Sequence, residues 1–235
     1  MTNPISFVSL GPGEAGLVSL KGRQRLVEAD CIFCPQTVAR TGHPVSRAAD
    51  IVSQLGVPAG ALCFFRLPMS KERGAALLAY RALAAEARRL WMQGKRVCIV
   101  AEGDAGFYSS VHYVFERLRE AGIPVEHVPG IPAFIAAGAL AGLHVASQDE
   151  RLTVAPGNIS ADEVAGLVEA GGTVVVMKLS QCADEMRRCI TLHPGYSYHY
   201  FENVGTAGEV CLHEPESIVA RQFPYFSLLI VKRPL

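Results

Sequence analysis

The chain has 235 residues, half of them hydrophobic, and its 22 basic and 22 acidic residues cancel to a formal net charge of zero. That balance speaks against a nucleic-acid binder, no apolar run approaches the ~18–20 residues of a membrane span, and the opening residues lack the basic-then-apolar order of a signal peptide. A chain of this size buries roughly 70% of its unfolded surface without covalent staples. Its seven cysteines, an odd number lying mostly in apolar segments, read as the reduced thiols of a cytoplasmic protein.

Ile5–Leu10 is an apolar run that predicts a strand ending in the loop Gly11-Pro12-Gly13-Glu14-Ala15-Gly16. Leu17–Glu28 has helical spacing. Cys31–Cys34 predicts a second strand stopped by Pro35, and Gln36–Ser46 a polar loop. Arg47–Leu55 is a short helix, Ala61–Phe65 a third strand, and Lys71–Met92 the longest helix, closed by Gly94. Next comes Val97-Cys98-Ile99-Val100-Ala101, an apolar run that breaks on Glu102-Gly103-Asp104-Ala105-Gly106 before a helix over Ser110–Ala121. This is the order of a buried parallel strand, an acidic turn and a helix. Val125–Val128 is another strand. Pro129-Gly130-Ile131-Pro132 punctuates the chain, dividing it into domains of residues 1–129 and 130–235. Ala133–Leu143 is small and apolar on every side, which predicts a helix buried all round.

The second half is richer in strands: Leu152–Ala155, Thr173–Met177, Ser197–Phe201, Glu209–Leu212 and Tyr225–Val231, with helices over Ser160–Glu169 and Gln181–Cys189. The pattern predicts a mostly parallel sheet followed by a mixed one with hairpins.

In open α/β sheets ligands bind beyond the carboxyl ends of the strands, so the Gly11 loop and the Glu102–Gly106 turn are expected to face one crevice. The first loop fits G-x-G-x-x-G, but the second strand ends Cys34-Pro35-Gln36 without the acid that a nicotinamide ribose needs. Cys31 and Cys34 fall on opposite faces of a strand and read as core. The histidines are scattered, and no bound metal is expected. Asp104 has two readings, a cap for backbone N–H groups or a functional carboxylate. Its place between two other marked turns favours function. Arg40, Arg47, Arg66, Lys71, Arg73 and Lys178 fall near loops or element ends. Most such residues are simply solvated, but a polycarboxylate ligand would need several.

Taken in order, FVSLGPGEAGLVSLKGRQRLVEADCIFCPQ, AEGDAGFYSS and VEHVPGIPAFIAAGALAGLHVA resemble the tetrapyrrole methylases, as do VVVMKLS, FENVGTAGEV and FSLLIVKR. CIFCPQT, LPMSKER, FYSSVHYVFERL and DERLTVAPG are most similar to the branch that methylates C-20 of precorrin-2 or of cobalt-factor II in cobalamin biosynthesis. The resemblance implies a two-domain α/β fold with an active-site cleft between the domains, usually a homodimer. It implies S-adenosyl-L-methionine as methyl donor, with S-adenosyl-L-homocysteine as product, and a small-molecule tetrapyrrole as substrate, with no nucleic acid and no membrane. Carried over residue by residue, Pro12, Glu102, Gly103, Asp104, Phe107, Pro132, Ala133, Met177, Gly205 and Thr206 would bind the cofactor. Asp104, Glu102, Tyr108 or His112 would take a proton or orient the ring. Arg40, Arg47, Arg66 and Lys71 are the candidates for the substrate's carboxylates. Where the family's turn usually reads Gly-Asp-Pro, this chain has Ala105, losing a fixed φ. Another tetrapyrrole methylase (C-11, C-17 or uroporphyrinogen), a relative with a different substrate such as the diphthamide-synthesis enzyme, and a non-catalytic Rossmann-type nucleotide-binding module stay open as alternatives.

Overall fold

The computed structural model describes residues 3–38, 43–67 and 73–234. The chain divides into two units, Met1–Pro132 and Ala133–Leu235.

The first unit is a sheet with helices on both faces. Its strands are β1 (Ile5–Ser9), β2 (Cys31–Val38), β3 (Pro44–Val45), β4 (Leu62–Arg66), β5 (Val97–Ala101) and β6 (Val125–Val128); its helices are α1 (Leu20–Val27), α2 (Arg47–Ser53), α3 (Arg73–Met92) and α4 (His112–Glu120). The strands β4, β2, β5, β1 and β6 lie side by side in that order, all parallel. The short β3 pairs antiparallel with the end of β2. Every residue of β1 and of β5 is buried, as expected of strands covered on both faces. Alternate residues serve opposite faces. Ile5, Phe7 and Ile99 pack with Leu83, Ala87, Val114 and Leu118 of α3 and α4. Val8, Cys98 and Val100 pack with Leu26, Ile51 and Val52 of α1 and α2.

Three expectations need correction here. The helix expected from Leu17 starts at Leu20, where the Ser19 hydroxyl accepts the Gly22 N–H at 3.1 Å and acts as an N-cap. β2 runs through Pro35 rather than stopping there. β5 pairs only with Cys31–Phe33, so at Pro35 that edge of β2 asks for no N–H donor. Cys31 and Cys63 form a disulfide, with Cα atoms 6.1 Å apart. Phe33 lies opposite Cys63, so Cys31, on the same face as Phe33, is its diagonal neighbour across two parallel strands. The other five cysteines are free. Burial pushes the thiols of Cys34 and Cys98 up to about 12 and that of Cys182 up to about 11, so these are inert core residues.

The second unit contains α5 (Ala133–Leu140), β7 (Leu152–Ala155), α6 (Ala161–Glu169), β8 (Thr173–Met177), α7 (Ala183–Leu192), β9 (Ser197–Glu202), β10 (Val210–Leu212), α8 (Pro215–Val219) and β11 (Ser227–Lys232). The sheet order is β10-β9-β11-β8-β7. β7 and β8 are parallel, and the other pairs antiparallel. Because β11 runs against both β8 and β9, the strands β7, β8 and β9 end at one edge of the sheet. The helix α6 starts in a capping box, with Ser160 and Glu163 satisfying each other's backbone N–H groups. The sequence reading missed α8, a short helix opened by Pro215.

The expectation of a helix buried all round over 133–143 is also corrected. Phe134, Ala137 and Gly138 of α5 are buried, but Ile135 and Leu140 are each 45% exposed. The helix stops early because Gly142 adopts φ +61°. The Leu143 N–H then donates to the Gly138 carbonyl oxygen and the Gly142 N–H to that of Ala139, a Schellman closure. Among the described residues no helix is long and apolar enough to cross a membrane.

Candidate active site

The neighbours β1 and β5 stay in register up to Ser9 and Ala101. The chain just past them remains paired. Leu10 N–H donates to the Ala101 carbonyl oxygen at 2.9 Å, and Gly11 and Gly103 exchange N–H···O bonds of 3.1 and 2.7 Å. Both glycines are left-handed, with φ of +72° and +70°, a conformation that glycine adopts without steric cost. The helices that follow β1 and β5 cover opposite faces of the sheet, which leaves the two loops flanking one crevice.

Asp104 ties a third bend to these two. Its Oδ2 accepts the Gly130 N–H at 2.7 Å and lies 3.5 Å from the Ser9 hydroxyl, while Oδ1 accepts the Gly106 N–H at 2.8 Å. Ser9 Oγ in turn accepts the Ala105 N–H at 2.8 Å. A Cβ on Gly130 would stand 2.5 Å from the Cβ of Ser9 and 3.0 Å from the Gly103 carbonyl oxygen. Pro129-Gly130 therefore approaches the first two bends as closely as backbone allows. The Asp104 carboxylate serves backbone N–H groups, though not those of a helix start. Ser9, fully buried, was not singled out from the sequence; its only signal there is a hydroxyl at the tip of an apolar strand.

Glu102 stands differently. Its Oε2 is buried and has no hydrogen-bond partner among the described residues, although Arg47 Nε lies 3.4 Å away. The two groups are within ion-pair range but not aligned for a hydrogen bond. Burial raises the Glu102 pKa, Arg47 opposes that rise and Asp50 adds to it. Arg47 Nη2 also donates to the Pro12 carbonyl oxygen at 3.4 Å. Among the described residues nothing lies within 4 Å of where a Gly103 Cβ would be, so that side of the turn is open.

The remaining residues of the first unit are spread along the same region. Phe107 and Tyr108 have ring centroids 4.5 Å apart, and Tyr108 is exposed with φ +48°. His112, the first residue of α4, is exposed, and its Nδ1 lies 2.9 Å from the Ser109 carbonyl oxygen. Its ring packs on Tyr113 at 3.9 Å. Arg66 is the exposed last residue of β4, two strands from β5 along the same edge. Arg40 and Lys71 lie outside the described residues. Pro132 closes the first unit and Ala133 opens the second, both half-buried.

In the second unit the ends of β7, β8 and β9 carry a second set of strained bends. Gly157, after β7, has φ +82°, and a Cβ there would meet the carbonyl oxygens of Lys178 at 2.8 Å and Met177 at 3.0 Å. Met177 ends β8, and Lys178 follows with φ +57°. Asn203, after β9, has φ +47°. The Thr206 hydroxyl donates to the Asn203 carbonyl oxygen at 2.8 Å, and the Glu209 carboxylate accepts the Gly205 N–H at 2.7 Å. Met177, Gly205 and Thr206 thus lie at one sheet edge. Gly157 and Glu209, which shape that edge, were not foreseen. Among the described residues no group of three His, Cys, Asp or Glu side chains is placed to hold a metal ion.

Residues 4–218 match the family described as Tetrapyrrole (Corrin/Porphyrin) Methylases. The chain is 25% identical to a precorrin-2 C(20)-methyltransferase of a Sinorhizobium species, over 95% of this chain and 93% of that one. It is 28% identical to a probable cobalt-precorrin-2 C(20)-methyltransferase of Methanocaldococcus jannaschii, over 76% and 74% of the two chains. Its fold is similar to that of uroporphyrin-III C-methyl transferase from Thermus thermophilus, solved in complex with S-adenyl homocysteine. The TM-score is 0.68 at 19% identity, with 98% and 97% of the two chains covered.

Proposed function

This chain belongs to the tetrapyrrole (corrin/porphyrin) methylases and is a C-methyltransferase, and on that premise we propose that it transfers a methyl group from S-adenosylmethionine to the C-20 meso carbon of precorrin-2 or cobalt-factor II. The observation that carries the site assignment is the Asp104 clamp, which gathers the bends after β1, β5 and β6 in the first unit. The cobalamin-pathway assignment rests on the nature of the relatives and on the motifs quoted above. We propose a homodimer as the working form.

The residues present suit a cationic sulfonium ligand. Among the described residues, Glu102 offers a buried carboxylate oxygen without a hydrogen-bond partner, and Gly103 leaves its side of the turn open. When bound, the sulfonium supplies a methyl carbon already activated for in-line displacement. The protein's task is then to hold donor and acceptor in line, and such alignment is worth roughly 7–11 kcal/mol. In our reading Pro12, Gly103, Phe107 and Pro132 line the part of the cofactor site that the first unit supplies.

Methylation of a meso carbon leaves a proton to be removed, so a base of modest strength is needed. The hydrogen bonds that Asp104 accepts hold three bends together, whereas Glu102 has an oxygen to spare and a raised pKa. We therefore assign Glu102 as proton acceptor and Asp104 as the residue that shapes the turn. Tyr108 and His112 fall to orienting the macrocycle from the rim of the turn. Arg66 and the positions Arg40 and Lys71 are assigned to the substrate's carboxylates, which guanidinium and ammonium groups bind well.

Incubation with S-adenosylmethionine and either precorrin-2 or cobalt-factor II should give a product carrying one added methyl group, placed at C-20 by NMR. Methylation at C-11 or C-17 would identify a different branch of the family. A thermal shift with S-adenosylmethionine and none with NAD is expected as well, since only a true ligand raises stability.

A further inference from the structure

The side chain of Arg47 spans two of the three bends. Arg47 opens α2, whose start is fixed by Ser46: that hydroxyl accepts the Ala49 N–H at 3.1 Å and donates to the Pro35 carbonyl oxygen at 2.7 Å. From this anchored position the guanidinium places Nε 3.4 Å from Glu102 Oε2 and Nη2 3.4 Å from the Pro12 carbonyl oxygen. Both side chains of the ion pair are about three-quarters buried, so bulk water screens them less than a surface pair.

We propose that Arg47 is a positioning residue, which keeps Glu102 ionised and fixed against the Gly11-Pro12 loop, and not a clamp for the carboxylates of the substrate. This deepens the function proposed above and rests on the assignment of Glu102 as proton acceptor. A guanidinium turned towards substrate would leave Glu102 as a buried, uncompensated charge, which is strongly disfavoured. Among the described residues the charged groups acting on Glu102 come from one helix, Arg47 favouring the carboxylate and Asp50 opposing it. Removing the cation leaves burial and Asp50 to favour the protonated acid. The ionised form, the one able to accept a proton, then appears only at higher pH.

The test is the pH profile of kcat/KM for the full chain with its tetrapyrrole substrate, in wild type, Arg47→Gln, Arg47→Lys and Glu102→Gln. The acid limb of Arg47→Gln should move up by about one pH unit, the low end of what a neighbouring opposite charge contributes. Below the limb that is about a tenfold loss of rate, recovered above it, with the substrate KM at high pH unchanged. Arg47→Lys keeps the charge and should shift less in the same direction, and it stands as the test if Arg47→Gln fails to fold. A raised substrate KM with an unmoved limb would make Arg47 a substrate clamp and overturn the proposal, as would no change in either quantity. Glu102→Gln separates the two layers. If it keeps the wild-type limb, the assignment of Glu102 fails; if it abolishes the limb while the Arg47 variants leave it in place, only the inference about Arg47 fails.

Discussion

The Ser9 hydroxyl accepts the backbone N–H of Ala105 at 2.8 Å, across 96 residues of sequence. Ala105 stands where the family's turn usually has proline, and a proline would have no N–H to give. The restraint that a ring would impose on φ is supplied here by a hydrogen bond from the tip of the neighbouring strand. Ser9→Ala should leave a buried donor unpaired and cost about 1–3 kcal/mol, read from urea unfolding. Ala105→Pro should be costlier in wild type than in a Ser9→Ala background, because only the former has a hydroxyl left without its donor. Additive effects in that double-mutant cycle would show that the two residues are not coupled.

Gly130→Ala is expected to damage the site through its packing alone. The new Cβ would lie 2.5 Å from that of Ser9, so the Pro129-Gly130 bend must move away from Asp104. Overpacking of this kind costs about 1–3 kcal/mol. A lowered melting temperature together with weaker S-adenosylmethionine binding by calorimetry is the expected pair of results, and an unchanged affinity would detach this bend from the cofactor site.

Gly103→Ala makes the opposite comparison. No atom of the described residues beyond its chain neighbours lies within 4 Å of the added Cβ, so the cost to stability is that of the left-handed backbone, about 1–2 kcal/mol. The methyl group nevertheless enters the space assigned to the methyl donor. Affinity for S-adenosylmethionine should fall by more than the stability loss accounts for. In Gly157→Ala, where the Cβ would stand 2.8 Å from the Lys178 carbonyl oxygen, stability should fall further.

The pH dependence of stability should carry a signature of Glu126. Burial alone would raise its pKa, but hydrogen bonds from Arg25, Ser6 and Lys21 overcome that and hold it at about 2, against an ordinary 4.5. Arg25 Nε lies 2.5 Å from its Oε1 and Lys21 Nζ 3.1 Å from its Oε2. A pKa depressed by folding stabilises above the unfolded value and is lost as pH falls through the folded one. The contribution of Glu126 should thus disappear between about pH 4.5 and pH 2. Glu126→Gln should flatten the unfolding free energy across that window, and an unchanged slope would show that the network is not intact in solution.

What could be read along the chain was local. Apolar runs predicted β1, β5 and β8 close to their observed bounds because a strand buried on both faces needs nothing else. The helix expected over Ser160–Glu169 forms as α6, with Ser160 as its N-cap. The marked turns at Gly11, Asp104 and Gly130 stood out because glycine and proline leave a signature wherever the backbone bends sharply. The order of those turns was enough to suggest the family.

Only the folded chain decided which of these pieces meet. Pro35 ended a strand on paper, yet it is tolerated because β5 stops pairing at Phe33. Cys31 read as a core thiol until parallel pairing made it the diagonal neighbour of Cys63. Arg47 read as a candidate for the substrate's carboxylates and lies beside Glu102, and Ser9 gained its role from a partner 96 positions away. Local patterns fix where the chain is strand, turn or helix, since propensity and alternation act between near neighbours. Which carboxylate faces a guanidinium and which is spent on backbone donors depends on sheet register, which sets contacts across roughly a hundred residues and leaves no periodic trace in the chain itself.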